Sequence, residues 1–89
     1  MLRFRLYITG NAPNSVLALA NLSALCERHL ADRHHIEVID LLNHPERALL
    51  DGVYMTPTLV KIAPVPELRI VGSLSDSVPI LASLGLKSA

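Results

Sequence analysis

The chain has little of several residue types on which whole classes of protein depend. Its 89 residues include one cysteine, no tryptophan, one phenylalanine and two tyrosines. One cysteine excludes an intrachain disulfide framework and fits a reducing cytoplasm. The eight basic and eight acidic side chains cancel, so charge gives no reason to expect nucleic acid or an anionic membrane as the main partner.

Neither end of the chain has the character of a signal sequence or a membrane span, because residues 1–7 and 81–89 are too short or too polar. We therefore expect one cytoplasmic domain, residues 1–89, folded around a modest core. Because 51% of the residues are apolar, we expect part of the apolar surface to be covered by a partner or by self-association as a dimer or tetramer.

Two strands enclose a helix in the first half of the chain. Residues 3–9 alternate, placing Arg3, Arg5 and Tyr7 opposite the apolar side chains, which predicts a strand with one covered side. Residues 36–41 form an apolar run that predicts a buried strand. Because a helical segment separates the two strands, we expect them to pair in parallel as a βαβ unit.

Residues 14–29 have helical periodicity, and Pro13 lies where the first turn of a helix tolerates a missing N–H. Leu17 and Leu25 lie off the main apolar stripe, which favours a second buried face or an interface. The stripe predicted to face the core consists of Val16, Leu19, Leu22, Cys26 and Leu30.

A short second helix is predicted over residues 46–50. Asn43 or His44 is expected near its cap and Pro45 in its first turn. Gly52 is expected to close it.

A hairpin and a last helix complete the prediction. Residues 58–63 and 68–71 are β-rich runs separated by a loop of hairpin length. Ser75 or Asp76 can cap a final helix that runs to about Leu84 and is ended by Gly85. The predicted element order is βαβαββα, an α/β fold.

No set of residues in the sequence is suited to catalysis or cofactor binding. Cys26, the only thiol, lies mid-helix, far from the helix N-terminus that would lower its pKa, and is predicted to be a core residue. Asp40, at a strand end, is expected to have a structural role. The glycines are isolated, so no phosphate-binding loop is expected.

The four histidines do not form a convincing metal site. His34 and His35 are adjacent in what reads as a polar connector, and no cysteine or carboxylate at ligand spacing completes a tetrahedral set. Solvated loop positions are favoured for them. The other two histidines are His29 and His44.

The most informative motif is Thr-Pro-Thr-Leu at residues 56–59, about fifteen residues after the second strand. A proline between threonines just ahead of a strand is where a thioredoxin-type scaffold carries its cis-proline, so a cis bond before Pro57 is predicted. A proline that simply begins a strand is the alternative. Redox relatives place two cysteines in the turn after the first strand, and residues 11–14 hold none.

Four segments together resemble the KaiB family, small clock proteins of cyanobacteria and their bacterial relatives. They are residues 7–15, 38–45, 56–61 and 69–75, and the resemblance spans about residues 4–84. It implies a non-enzymatic protein that binds KaiC, a hexameric ATPase, and modulates its phosphorylation cycle. It also implies links to KaiA and to the kinase SasA, whose N-terminal domain is similar.

The resemblance further implies two folds. One is a tetrameric ground state of order βαββααβ, and the other is the thioredoxin-like state that binds KaiC; everything after about residue 50 changes between them. Ser73 replaces the family's Asp, and Pro79 suits the first turn of a helix better than a strand. We therefore predict that this chain favours the thioredoxin-like state. The positions expected to influence this balance are Pro57, Pro64, Pro66, Gly72 and Pro79.

The partner surface implied by the resemblance is the second helix with nearby loops. Asn43 and Gly52 replace family lysines, which argues against KaiA-type binding. Two alternatives stay open: a stress-response adaptor in a bacterium without a clock, and a thioredoxin-like redox enzyme. The candidate partner-binding residues are Asn43, His44, Glu46, Arg47, Lys61, Arg69 and Ser73.

Overall fold

The computed structural model of the protein describes residues 1–86. Its element order confirms the predicted βαβαββα arrangement, and both strands of the hairpin have the predicted bounds. The elements are β1 (Leu2–Ile8), α1 (Pro13–His29), β2 (His34–Asp40), α2 (Glu46–Asp51), β3 (Thr58–Ala63), β4 (Leu68–Val71) and α3 (Val78–Ser83).

The four strands form one sheet in the order β2-β1-β3-β4. β1 pairs in parallel with β2, which confirms the predicted βαβ unit, and antiparallel with β3. The prediction of a buried β2 is wrong: only Ile39 is buried and Val38 is exposed, because an edge strand lacks a neighbour on one side. His34 and His35 begin this strand and do not belong to a polar connector.

Apolar side chains cover both faces of the sheet. On one face, Phe4 and Leu6 of β1 pack with side chains of α1 and α3 in the larger core. On the other face, Tyr7 packs with Ile39, Val53 and Val60. The prediction that β1 has one covered side is therefore wrong, because the chain after α2 covers the second face as well.

The buried face of α1 differs from the predicted stripe. Leu22 and Cys26 are buried as predicted, but Val16 is exposed and Leu25 is buried. The true inward face includes Ser15 and small Ala18, which apolar periodicity underweights. Ser15 is buried without penalty because its Oγ accepts a hydrogen bond from the backbone N–H of Thr9 at 3.1 Å.

The residues at the N-terminal ends of the two short helices differ in part from those predicted. Pro45, and neither Asn43 nor His44, is the N-cap of α2. The N-cap of α3 is Ser77, and Pro79 lies in its first turn as predicted. The prediction of Ser75 or Asp76 as this cap is therefore wrong, although the Asp76 carboxylate accepts a hydrogen bond from the N–H of Val78 at the start of the helix.

The Thr-Pro-Thr-Leu motif leads from the second helix into β3, which begins at Thr58, and the Thr56–Pro57 bond is cis as predicted. The bonds before Pro64 and Pro66 are cis as well. The hydroxyl of Thr56 lies 2.6 Å from that of Thr9 in the loop after β1. The motif therefore joins the first βαβ unit to the second half of the sheet.

Candidate interaction surface

The second helix lies on the outside of the molecule. None of its six residues is buried. Asn43, His44 and Glu46 are exposed, and His44 Nδ1 lies 3.6 Å from Glu46 Oε1. Arg47 is half-buried and turns towards the sheet. Four of the seven predicted partner-binding residues are thus brought together at this helix.

A chain of polar side chains holds α2 on the sheet. The hydroxyl of Tyr7 donates to Asp51 Oδ2 at 2.6 Å, and Arg47 Nε donates to the same oxygen at 3.0 Å. Arg5 Nε donates to Glu37 Oε1 at 2.9 Å and Arg5 Nη1 to the Tyr7 hydroxyl at 3.4 Å. Asp51 is therefore the point where α2 is tied to β1.

The hydrogen bond from Tyr7 lowers the pKa of Asp51, and the bond from Arg47 adds to the effect. Burial raises the pKa of Tyr7, and its bond to the Asp51 carboxylate raises it further. At neutral pH the bond therefore joins a protonated phenol to an ionised carboxylate, which is a charge-assisted hydrogen bond.

Arg69 of β4 closes the C-terminal end of α2. Its Nη2 donates to the carbonyl of Asp51 at 2.7 Å and its Nη1 to that of Gly52 at 2.8 Å. These bonds satisfy carbonyls that a helix end leaves without partners. Arg69 forms no ion pair with a carboxylate within residues 1–86, so its charge is offset only by carbonyl dipoles.

Lys61 and Ser73 do not lie with the four predicted partner-binding residues at α2. Neighbouring residues of β3 face opposite ways, so Val60 packs beside Tyr7 while Lys61 is buried against the α3 side of the sheet. The carbonyl of Ser73 accepts a hydrogen bond from α1, and its hydroxyl lies 3.1 Å from that of Ser75.

Sequence reasoning missed several residues of this surface. The Arg47–Asp51 spacing of one helical turn is a readable signal for an ion pair. The partnership of Asp51 with Tyr7 is long-range and has no local signal. The exposed Leu49 and Leu50 could have been found from their place in a six-residue helix, which cannot bury every apolar residue it carries.

Residues 11–14, the turn where redox proteins of this scaffold carry two cysteines, contain no cysteine. Cys26 is fully buried, which confirms its predicted core position, and burial raises its pKa to about 11. Its thiol therefore stays protonated at neutral pH. The Asp40 carboxylate accepts hydrogen bonds from the N–H groups of Gly10 and Leu42, which fits the structural role expected for it.

His34 and His44 make separate contacts. His34 Nδ1 lies 2.8 Å from the carbonyl of Leu30, and His44 lies beside Glu46. In the described part of the chain, no three His, Cys, Asp or Glu residues are grouped to hold a metal ion. No helix in residues 1–86 is both long and apolar enough to cross a membrane.

Known proteins match this chain over nearly its whole length. The model of the KaiB domain matches residues 5–85. The KaiB3 circadian clock protein of Synechocystis sp. is 42% identical over 82 residues, 92% of this chain and 80% of the relative. The clock oscillator protein KaiB of Synechococcus elongatus is 43% identical over the same shares.

Solved structures establish the fold. The N-terminal domain of SasA from Synechococcus elongatus superposes with a TM-score of 0.77 at 21% identity, covering 99% of this chain and 87% of that one. Chloroplastic thioredoxin z gives a TM-score of 0.76 at 20% identity, covering 96% and 79%. These two likenesses show a thioredoxin-like fold, and the match to the KaiB domain shows that the chain belongs to the KaiB family.

Proposed function

We propose that this protein is a non-enzymatic, cytoplasmic regulator that binds a KaiC-like hexameric ATPase and modulates its phosphorylation cycle. The observation that carries the proposal is the family membership, because the relatives matched over 92% of the chain are circadian clock proteins. The proposed contact surface is α2 together with the loop that precedes it. It comprises the exposed Asn43, His44 and Glu46 and the half-buried Arg47, with Arg69 at the C-terminal end of the helix.

The thiol chemistry argues against the redox alternative. Thiol–disulfide exchange requires an accessible thiolate. Residues 11–14 contain no cysteine, and Cys26 is buried with a raised pKa. An insulin-reduction assay tests this directly, and we expect no rate above the uncatalysed background.

Binding in this proposal depends on the population of the thioredoxin-like state. If that state is a fraction of all molecules, the apparent affinity for the ATPase falls by the same fraction. Pro79 favours the thioredoxin-like state because it suits the first turn of α3. An amide NMR assignment of residues 76–84 as a strand would contradict this preference.

The proposal is tested by size-exclusion chromatography of the protein with and without the hexameric KaiC-like ATPase of the same genome. We expect co-elution at micromolar concentrations, weakened by Glu46→Lys. The matched control is Glu27→Lys, an exposed glutamate on α1 at the opposite face of the sheet. If the wild-type protein does not co-elute, the proposed function is wrong.

The phosphorylation state of the ATPase separates a timing regulator from an adaptor. A regulator changes the phosphorylated fraction over time, whereas an adaptor binds and leaves it unchanged. In our proposal a SasA-type kinase competes for the same ATPase, because the SasA N-terminal domain shares this fold. Adding that domain should release the protein from the complex.

A further inference from the structure

Four large apolar side chains are exposed within residues 49–55. Leu49 is 83% exposed, Leu50 76%, Tyr54 86% and Met55 64%. Single exposed apolar residues are ordinary, but a concentration of them in one region marks an interaction surface. Residues 1–86 therefore carry an apolar surface that they do not themselves cover.

The orientation of α2 on the sheet leaves its two leucines exposed to solvent. Arg47 and Asp51 lie one helical turn apart and point towards the sheet, where the Tyr7 hydroxyl holds Asp51. At about 100° per residue, Leu49 lies on the side of the helix opposite this pair and Leu50 lies to one side of it, and both are exposed. Rotating the helix to bury the leucines would break the bonds to Asp51.

The segment after α2 is fixed in the same way. Gly52 adopts a left-handed conformation with φ of 66°, and the next residue, Val53, is buried against the sheet. The following Tyr54 and Met55 then point to solvent. The hydroxyl of Thr58 donates to the carbonyl of Met55 at 2.5 Å, which anchors the end of the segment.

A cation borders this apolar surface. Arg69 and Val71 line a shallow cavity of about 160 Å³ together with Tyr54 and Met55. Arg69 has no carboxylate partner within residues 1–86. A protein that covers the surface removes water from this guanidinium, and that is favourable only if the protein supplies an acceptor of its own.

We infer that Leu49, Leu50, Tyr54, Met55 and Val71 form an apolar docking patch for an ATPase surface that is apolar at its centre and carries a carboxylate opposite Arg69. The inference rests on the proposed function and specifies the chemistry of the partner. Tyrosine and methionine are enriched in such interfaces.

A second copy of the chain fits the docking patch less well. A two-fold contact places the same patch on both sides and so brings two Arg69 guanidinium groups into one interface. Asp51, the nearest carboxylate in sequence to the patch leucines, already accepts bonds from Tyr7 and Arg47. A heterologous partner with its own carboxylate avoids this repulsion.

The apolar part of the inference is tested by adding a charge to the patch. Leu49→Glu and Leu50→Glu change exposed side chains and should leave the fold intact. We expect each to weaken binding to the hexameric KaiC-like ATPase about tenfold or more in a titration calorimetry experiment. The matched control is Val65→Glu, which changes an equally exposed residue, 84%, in the β3–β4 loop and should bind as the wild type does.

The charged part is tested at Arg69. If a carboxylate faces Arg69, wild-type affinity should fall with added salt, and Arg69→Gln should both weaken binding and flatten that dependence. Arg69→Lys keeps the charge and should keep the salt dependence. A loss of affinity in Arg69→Gln with an unchanged salt dependence would show a purely structural role and overturn this part.

The outcomes separate this inference from the proposed function. If wild type and Leu49→Glu bind the ATPase equally, the docking patch is wrong and the proposed function stands. If the wild type does not bind at all, both are wrong. If light scattering shows a wild-type dimer that Leu49→Glu dissociates, the occupant is a second copy and the inference is overturned.

Discussion

The first and second helices are attached to the same sheet by different forces. α1 has 17 residues and buries an inward face that includes Leu22, Leu25 and Cys26. α2 has six residues and buries none of them. It is held by hydrogen bonds from Tyr7 to its last residue and from Arg69 to its C-terminal carbonyls.

The difference separates folding from recognition within one small protein. A helix of six residues is not stable by itself, so α2 depends on those few directional bonds. Because these bonds engage only the inner side and the C-terminal end of α2, the side chains on its outer side contribute little to the stability of the fold. That side is free to have the composition that a partner requires, which explains how Leu49 and Leu50 can stand in solvent.

The largest expected effect comes from breaking the packing of α1. Leu22→Ala removes a fully buried side chain and should lower the free energy of unfolding by about 2–5 kcal/mol. The equivalent change on the other helix, Leu49→Ala, should alter it by less than about 0.5 kcal/mol. Urea unfolding followed by circular dichroism measures both. Similar losses for the two variants would remove the contrast between the helices.

The elements with local signals could be predicted from the sequence. The bounds of β3 and β4 follow from two β-rich runs and the prolines between them, and Gly52 marks the end of α2. The inward face of α1 could not, because periodicity counts large apolar residues and the buried face of this helix includes Ser15 and the small Ala18.

The features of the fold that depend on long-range pairing could not be predicted from the sequence. Whether β2 is buried depends on the side of β1 to which the chain returns after α2, and it returns to the far side. The position of β3 on that far side of β1 also determines that Val60 faces α2 and that Lys61 faces the opposite side of the sheet. Tyr7 and Asp51 are 44 residues apart in the chain, and only the folded sheet brings them together.

The second prediction weakens the attachment of α2 without disturbing its packing. Tyr7→Phe keeps the ring against Val53 and Val60 but removes the hydroxyl that donates to Asp51. Hydrogen bonds to charged groups contribute about 1.5–3 kcal/mol, so a loss of that order in unfolding free energy is expected. Tyr54→Phe, at an exposed tyrosine, is the control and should unfold as the wild type does.

Amide hydrogen exchange shows which part of the structure Tyr7→Phe destabilises. The N–H of Val53 donates to the carbonyl of Ala48 and so reports on the closing turn of α2. We expect this amide to lose more protection than that of Leu30, which donates to Cys26 at the end of α1. Equal losses at both amides would mean that the two helices unfold together and that α2 has no separate attachment.

The third prediction changes the backbone at the end of α2. A Cβ at Gly52 would lie 3.8 Å from Arg69 Nη1, an ordinary contact, so Gly52→Ala should cost only the left-handed conformation, about 1 kcal/mol. Gly85→Ala carries the same cost, since φ is 73° there and no atom of residues 1–86 lies within 4 Å of the added Cβ. Urea unfolding should give similar losses for both. Only Gly52→Ala should weaken binding to the ATPase, because only Gly52 fixes the docking patch.

The smallest expected effect is the pH dependence of the α2 attachment. The pKa of Asp51 is lower in the folded protein than in the unfolded chain, because Tyr7 and Arg47 donate to its ionised form. Its contribution to stability is therefore fully present above the ordinary aspartate pKa of about 3.9 and is lost as the pH falls through the lowered value. Asp51→Asn keeps an oxygen for the Tyr7 hydroxyl and removes only the charge. The difference in urea midpoint between wild type and Asp51→Asn should be constant near neutral pH and narrow in acid; a difference that does not narrow would mean that the charge of Asp51 does not hold the helix.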